Sequence, residues 1–470
     1  MSQLSNSQLP VLNPFDGTVV DRLDLDDADS LEQKLANGYA IARDHNAQMS
    51  VPQRVAVLEK LQDLMRQRRD ELGLLIAREG GKPLTDALVE ADRAIDGVGL
   101  CVEHIKAHVG QRIPIATNPM SAGRIAFTQK QPIGLVAAVS AFNHPLNLIV
   151  HQVAPAIAAG CPVIVKPAPD TALSCALFVD LLHEAGLPAA RAQTLITEEI
   201  ALAESLVTDP RLAFFSFIGS ARVGWMLKNK LAPGVRCALE HGGAAPVIVC
   251  EDADLAKTLP ALVKGGFYHA GQVCVSVQRV FVPSGMLDEV VSQLVASVEQ
   301  LQVGDPTDPA TDVGPLIRPG EVTRVAQWVQ EAIDAGTHCA IGGSSLSEFT
   351  YAPTVLVNPP ADARVSTQEV FGPVVCVYAY DALEDAIRAA NNLDVAFQAA
   401  VFTESIDHGL GLAGRLDASA VMINDHTAFR DDVMPFAGLR QSGLGVGGIP
   451  HTIEDMQIDK MTVIKSDQLP

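Results

Sequence analysis

The sequence predicts an α/β protein whose first sheet is parallel and doubly wound. Three observations carry this. Short apolar strands at Leu135–Ser140, Val163–Val165, Gln193–Ile196 and Phe214–Ile218 alternate with helical stretches at His151–Ala159, Thr171–Ala185 and Ile200–Val207, the rhythm of βαβ units. A second α/β stretch opens near Gly242, with strands at Val247–Val249, Arg279–Val282, Val374–Ala379 and Ala399–Phe402. The composition, 48% hydrophobic and 19% charged over 470 residues, is too apolar for a disordered chain and sufficient for a large core.

Ahead of the first sheet, residues 28–109 are dominated by helical periodicity. Ser50-Val-Pro-Gln-Arg54 is a helix start signal, after which Leu58, Leu61, Leu64 and Met65 fall on one face. Pro83 breaks the pattern just after Gly80-Gly81-Lys82. Between Arg112 and Gln131, extended segments flank a turn at Asn118-Pro119 and Gly123, which reads as a hairpin. At the far end, after Pro450, Met461-Thr-Val-Ile464 is a lone β-prone segment whose expected partner is another subunit.

Charge excludes more than it identifies. With 55 acidic and 34 basic side chains the net charge is −21, which argues against binding to a nucleic-acid backbone. The N-terminal MSQLSNSQLPVLNPFDG has neither a basic nor an apolar region of the signal-peptide kind. The apolar runs Gly134–Ala141 and Ile157–Val165 fall short of the ~20 residues of a membrane span and are expected as buried strands. Eight cysteines include no CxxC and no histidine at metal spacing, so no metal is expected. Most lie in apolar stretches such as Val247–Cys250 and Val374–Val377 and read as core thiols in a cytoplasmic protein.

A few positions stand out chemically. Cys274, in His269-Ala-Gly-Gln-Val-Cys274 after the helical Leu262–Phe267, is either another core thiol or a nucleophile; Gly271 and Gln272 are odd in a core helix and suit a close backbone approach. Glu240, between Ala238-Leu239 and Gly242-Gly243, is either a helix-cap acid or a base placed by a tight turn. Asn143 follows the strand Leu135–Ser140 and is either an ordinary turn residue or an amide at a strand's carboxyl end, where open α/β sheets bind ligands. Phe214–Ile218 runs into Gly219-Ser-Ala-Arg-Val-Gly224, a glycine turn into a helix whose free N–H groups can face a phosphate, without the full GxGxxG fingerprint. Lys166, before Pro167-Ala-Pro169, is either a strand-end charge for a ligand or a solvated lysine.

The joint order of these elements resembles the aldehyde dehydrogenase superfamily along nearly the whole chain. The matching motifs are Glu79-Gly-Gly-Lys-Pro83, Pro132-Ile-Gly134, Phe142-Asn-His-Pro-Leu-Asn147, Lys166-Pro-Ala168, Phe217-Ile-Gly-Ser220 with Val223-Gly224, and Leu239-Glu-His-Gly-Gly243. Gly271-Gln-Val-Cys274, Gly304-Asp-Pro306, Gly314-Pro-Leu-Ile317, Glu369-Val-Phe-Gly-Pro-Val374 and Pro435-Phe-Ala-Gly438 with Ser442-Gly443 complete the series. The resemblance implies the aldehyde dehydrogenase fold. Residues 1–113 and 133–241 would form a Rossmann-like cofactor domain, 242–450 an α/β catalytic domain, and 114–132 with 451–470 a small β oligomerisation module. It implies a homodimer or homotetramer with no nucleic-acid or membrane partner, acting on a small-molecule aldehyde. Cys274 would be the nucleophile, forming a thiohemiacetal and then a thioester. Asn143 and the Cys274 backbone N–H would hold the oxyanion, and Glu240 would activate the hydrolytic water. Lys166 would bind the adenosine ribose of NAD or NADP, Gly219 and Ser220 the pyrophosphate, and Glu369 the nicotinamide ribose, with Phe371 beside the nicotinamide.

The chain also departs from the family. Many NAD-preferring members carry a Glu where this chain has Pro169, and its loss removes a repulsion against a 2′-phosphate; NAD is favoured, with NADP open. In the substrate pocket, positions often aromatic or apolar carry His144, His151 and Arg430, with Val273 beside the nucleophile and Phe436 nearby. Arg430 would either pair with Asp431 or Asp432 at the surface or, with the two histidines, favour a small polar or anionic aldehyde. Asn143-His-Pro145 and Phe429-Arg430 with Met434-Pro435 are similar to the branch acting on phosphonoacetaldehyde, sulfolactaldehyde and lactaldehyde-type substrates, a carboxylated semialdehyde being the next choice. Phe397-Gln398-Ala399 and Ala437-Gly438 replace usual family motifs without a mechanistic consequence. Two rival readings are a CoA-acylating semialdehyde dehydrogenase, which generally lacks the counterpart of Glu240, and a catalytically silent relative, which should have lost Cys274 or Asn143.

Overall fold

The helical region resolves into four helices, Ala28–Arg43, Val51–Gln67, Arg69–Gly80 and Leu84–Ala107. The start signal works as expected: Gln53 Oε1 accepts the Ser50 backbone N–H at 2.8 Å, and Leu58, Leu61 and Met65 are fully buried. The chain is seen here as a computed structural model describing residues 8–115 and 117–469; the first seven residues of the expected cofactor domain and of the leader reading, and positions 116 and 470 of the expected oligomerisation module, lie outside them.

Six strands form the first sheet, in the order Gly443–Leu444, Arg236–Glu240, Leu212–Ile218, Leu135–Val139, Val163–Lys166 and Ala192–Thr194. All pairings are parallel except the one between Gly443–Leu444 and Arg236–Glu240. Strand Leu135–Val139 shows why its run is continuously apolar. Val136 and Ala138 face the core that includes helices Val51–Gln67 and Asn147–Ala159, whereas Leu135 and Ala137 face the opposite cluster with Leu31, Leu35 and Leu206. A sheet covered on both faces leaves no polar side. Connections leave Leu135–Val139 toward Val163–Lys166 on one side, and Leu212–Ile218 lies on the other. This topological switch point opens a crevice at the carboxyl ends of those strands.

The second sheet has seven strands, in the order His338–Ile341, Thr354–Val357, Val374–Tyr380, Val277–Pro283, Ala245–Val249, Gln398–Phe402 and Ala420–Ile423. It too is covered on both faces, with Val247 and Val249 in one core cluster and Ile248 and Cys250 in another. A third sheet joins Arg112–Ile113, Arg124–Pro132 and Gln457–Lys465.

Three expectations need correction. The tail strand pairs within its own chain, in antiparallel register from Gln457↔Pro132 to Lys465↔Arg124, because strand Arg124–Pro132 leaves one long edge open to it. The run Ile157–Val165 is a helix end, a left-handed turn at Gly160 and a strand, so its unbroken hydropathy reflects burial and not one element. Of the seven cysteines read as core thiols, five are buried, while Cys237 and Cys339 are half-buried. All eight are free, and among the described residues no helix is long and apolar enough to cross a membrane.

Candidate active site

The oxyanion candidate sits on a loop anchored from below. Helix Asn147–Ala159 begins just after Asn143, and its first amides, Leu146 N–H and Asn147 N–H, donate to Glu90 Oε1 at 3.0 and 3.1 Å. Glu90 is fully buried and pairs with the equally buried Lys82. Glu79 performs the same task for helix Ala172–Glu184, accepting Leu173 N–H and Ser174 N–H at 2.9 Å each. The Glu79-Gly-Gly-Lys-Pro83 motif therefore fixes the entrances of two helices around the crevice.

The loop that carries Cys274 is shaped by three consecutive left-handed residues, His269, Ala270 and Gly271, at φ 50°, 53° and 69°. At Gly271 an added Cβ would lie 2.1 Å from the Gly372 carbonyl oxygen, which is the close approach the sequence anticipates. Gln272 then braces the loop: its Nε2 donates to His269 O at 3.3 Å and Pro315 O at 3.2 Å, and its Oε1 accepts Ile317 N–H at 3.0 Å. Asn143 Nδ2 donates to Gln272 O at 2.9 Å, so the amide docks two residues from Cys274. An amide nitrogen carries two hydrogens, and the second is available to a ligand oxygen. Cys274 is half-buried against Val273, Val275, Phe397 and Phe436. Burial, then the carboxylates of Glu369 and Glu240, push its thiol well above the ordinary range, with Arg430 acting in the opposite sense.

Glu240 ends strand Arg236–Glu240, which excludes the helix-cap reading. Burial lifts its carboxyl to about 7, with Arg430 opposing. Gly447 lies so close that an added Cβ would be 2.1 Å from Glu240 Oε1. Glu369 is pressed against Gly242, and burial pushes it to about 8 against the Gly243 N–H and Arg324. Its Oε1 is buried without a hydrogen-bond partner among the described residues. An orphaned acceptor in a crevice fits a ligand hydroxyl, which is what a ribose presents. Phe371, at φ 48°, stands edge-on to Phe142 with ring centroids 5.7 Å apart.

Lys166 and Gly219-Ser220 lie at the carboxyl ends of their strands, on the same edge of the first sheet. Burial lowers Lys166 to about 8, Asp170 opposes this and Arg318 adds to it; Nζ donates to Pro167 O at 3.0 Å. Ser220 caps helix Ala221–Lys228 with an exposed side chain that makes no capping bond.

The substrate side differs from the expectation of three converging cations. Burial, reinforced by Lys82 and Arg93, holds His144 well below its ordinary range, and burial also lowers His151. Burial thus works against a charge on either ring, while Asp432 opposes it at His151. His151 Nε2 bonds Asp432 Oδ1 at 2.9 Å, and Arg93 clasps the same carboxylate at 2.6 and 3.2 Å. Burial works to raise Asp432, but His151 and Arg93 prevail and hold it well below the carboxylate range. Asp432 is therefore spent on Arg93, and Arg430 is left 4.0 Å from it. The Arg430 guanidinium instead lies over the Phe436 ring, 4.3 Å from its centroid, with only 9% of the side chain exposed. It is not a surface salt bridge. His144 lies against Tyr268, whose hydroxyl is 3.4 Å from His144 Nε2.

The structure thus gathers Cys274, Asn143, Glu240, Glu369 and Arg430 around one loop, with Lys166, Gly219 and Ser220 along the adjoining sheet edge. The profile of the aldehyde dehydrogenase family matches residues 2–462. The chain belongs to the aldehyde dehydrogenase family. It is 37% identical over 413 residues to the 3-sulfolactaldehyde dehydrogenase of Priestia aryabhattai, covering 88% of this chain and 86% of that one. It is 31% identical over 465 residues to the lactaldehyde dehydrogenase of Methanocaldococcus jannaschii, covering 98% of each. The crystal structure of aldehyde dehydrogenase 21 from Physcomitrella patens with the product succinate superimposes with a TM-score of 0.94 at 32% identity, over 99% of this chain and 97% of that one. The glyceraldehyde-3-phosphate dehydrogenase GapN of Methanocaldococcus jannaschii, complexed with NADP, gives 0.93 at 31% identity over 98% and 100%. The protein is an NAD(P)-dependent aldehyde dehydrogenase with the fold of that family. Two residues of this aldehyde dehydrogenase site escape a reading of the sequence. Tyr268 directly precedes His269-Ala-Gly-Gln-Val-Cys274 and was discoverable from that adjacency. Arg93 reaches Asp432 across 339 positions and leaves no local signal.

Proposed function

We propose that the enzyme oxidises a small anionic aldehyde to its carboxylic acid by covalent catalysis at Cys274. The observation that carries this reading is the convergence on the nucleophile loop: Asn143 docked at 2.9 Å on Gln272 O, with Glu240 and Arg430 both acting on the thiol. Cys274 attacks the aldehyde carbon, Glu240 accepts the thiol proton, and the oxygen of the thiohemiacetal is held by the Asn143 amide and the Cys274 N–H. A nicotinamide held in the crevice would supply the hydride acceptor that turns the thiohemiacetal into a thioester on Cys274. After passing the thiol proton to solvent, Glu240 takes a proton from water as it attacks the thioester and returns it to the departing Cys274 sulfur, releasing the acid and the thiol. The balance is aldehyde + NAD(P)⁺ + water → acid + NAD(P)H + H⁺.

Glu369, with its unpartnered buried oxygen, would hold the nicotinamide ribose, Lys166 the adenosine ribose, and Gly219 and Ser220 the pyrophosphate, with Phe371 beside the nicotinamide. Pro169 offers no carboxylate to repel a 2′-phosphate, and the neighbouring Asp170 is tied to Arg318. This supports use of NADP alongside NAD. A retained Glu240, half-buried at the end of its strand, favours water over CoA as the acyl acceptor. The eight free thiols suit a reducing, cytoplasmic compartment.

Arg430 supports the anionic substrate. It is a nearly buried cation whose neighbouring carboxylate Asp432, 4.0 Å away, is held by Arg93, and it lies over an aromatic face. The experiment is a panel of neutral, carboxylated, phosphonated and sulfonated aldehydes with NAD and NADP, run on the wild type and on Arg430→Leu. The expected result is a KM increase of at least about tenfold for the charged aldehydes and little change for neutral ones. Equal effects on both would remove the anion reading.

A further inference from the structure

Cys250 follows the central strand Ala245–Val249, Asp252 lies in the turn after it, and His408 sits in the first turn of helix Ile406–Ala413. One ligand atom from each, the thiol sulfur, a carboxylate oxygen and an imidazole nitrogen, lies within 4.8 Å of the other two. A thiolate, an imidazole and a carboxylate around one point make a donor set suited to zinc, with a fourth position for water. The cluster is also supported from behind. Thr403 Oγ1 donates to both Asp252 oxygens at 2.8 Å, and Ser405 N–H donates to Oδ2 at 3.3 Å, which fixes the carboxylate without exhausting its lone pairs. Ser405 Oγ also accepts the His408 N–H at 3.3 Å and so sets the start of that helix. The His408 ring makes no hydrogen bond among the described residues. Around the cluster the charge is negative, from Glu251, Glu404 and Asp407, and the nearby Lys257 is paired with Asp254.

We propose that Cys250, Asp252 and His408 bind one Zn²⁺ ion, Cys250 giving up its proton to coordinate as the thiolate. The site is separate from the catalytic thiol. Strands Ala245–Val249 and Val277–Pro283 are parallel neighbours; Cys250 follows the end of the first and Cys274 precedes the start of the second. They lie beyond opposite ends of these strands, separated at least by the length of a five-residue strand, about 16 Å. A bound ion would clip the turn after a central strand to helix Ile406–Ala413.

The test is a Co²⁺ titration, with Zn²⁺ competition, of chelator-treated full-length protein carrying Cys274→Ala, so that the catalytic thiol contributes nothing. One equivalent of Co²⁺ is expected, with tetrahedral d–d bands and a near-ultraviolet thiolate-to-metal band, both displaced by Zn²⁺. Adding Cys250→Ser should abolish the thiolate band. Adding His408→Ala should weaken Zn²⁺ binding about 100-fold or more. His408 is exposed, and His408→Ala alone should oxidise aldehyde at the unchanged rate, which controls for folding. Absence of stoichiometric binding, a thiolate band that survives Cys250→Ser, or unaltered affinity in the folded His408→Ala protein would overturn the proposal.

Discussion

Glu240 and Glu369 are both carboxyl groups displaced toward neutrality by burial, yet their surroundings separate them. Glu369 is pressed on the Gly242 backbone with one oxygen unpartnered, whereas Glu240 faces Arg430 and the thiol. A base that must accept a proton at neutral pH works best with a pKa near that pH, and about 7 is such a value. Only the ionised carboxylate can take the proton, and it is lost as pH falls through the folded-state value. The turnover rate should therefore fall on the acid side of about pH 7, by about tenfold per unit once protonation dominates. A pH profile of kcat checks this, and a flat profile from pH 5 to 8 would contradict it. At this scale the sequence was legible mainly through motif order. Cys274, Asn143 and Glu240 each had an ordinary alternative, and only their joint spacing distinguished them. Titration behaviour was not legible: that His144 and His151 are lowered follows from burial, with Lys82 and Arg93 adding at His144 and Arg430 and Arg93 adding at His151, which no local pattern reports.

The nucleophile loop shows what the elements contribute. Helix Leu255–Phe267 ends, and three left-handed residues turn the chain so that Gln272 is braced and Cys274 faces the crevice. Gly271 combines φ 69° with a 2.1 Å approach to Gly372 O, so neither the torsion nor the space admits a side chain. Gly271→Ala should cost about 1–3 kcal/mol and displace the thiol. Thermal unfolding should shift downward and kcat should fall at least about tenfold, while cofactor affinity measured by fluorescence stays the same. Normal kcat in that variant would show that the loop geometry is not what places Cys274. The glycine itself was legible as an oddity in a helical context. Its reason was not, because Gly372 belongs to a segment remote in sequence. Strand Leu135–Val139 was legible since burial on both faces leaves an uninterrupted apolar run, whereas Arg236–Glu240, half-buried and polar at both ends, carries no such signature. The Cys250, Asp252 and His408 cluster was invisible for the same reason as Arg93 and Asp432: metal-ligand spacing rules detect neighbours in sequence, and tertiary pairing ignores them.

Across the whole molecule, the chain returns to the first sheet at Glu240. Strand Gly443–Leu444, which comes after the second sheet is complete, returns to pair with Leu239 and Glu240 on the first. Glu240, the proposed base, is thus held by backbone from both halves of the chain. The third sheet, with Arg124–Pro132 at its centre, leaves Ile458, Met461, Val463 and Ile464 exposed on both faces of the tail strand. An exposed apolar sheet with an open edge suits another copy of the chain, in line with the dimer or tetramer that the family resemblance implies. Deleting residues 457–470 should reduce the assembly to monomers in light scattering behind size exclusion; an unchanged mass would place the interface elsewhere. The net charge of −21 is compatible with an anionic substrate because the cleft keeps its own cations, Lys166 and Arg430, both largely buried.

The central claim is a covalent acyl-enzyme on Cys274 that Glu240 resolves. The most direct measurement is intact and peptide mass spectrometry of Glu240→Gln protein, quenched after mixing with an accepted aldehyde and NAD(P)⁺. With deacylation slowed, the account predicts one acyl group per active chain, in the peptide containing Cys274, formed together with one burst equivalent of NAD(P)H and absent from the double variant with Cys274→Ala. An adduct on another residue, or NAD(P)H formation that persists without Cys274, would contradict it.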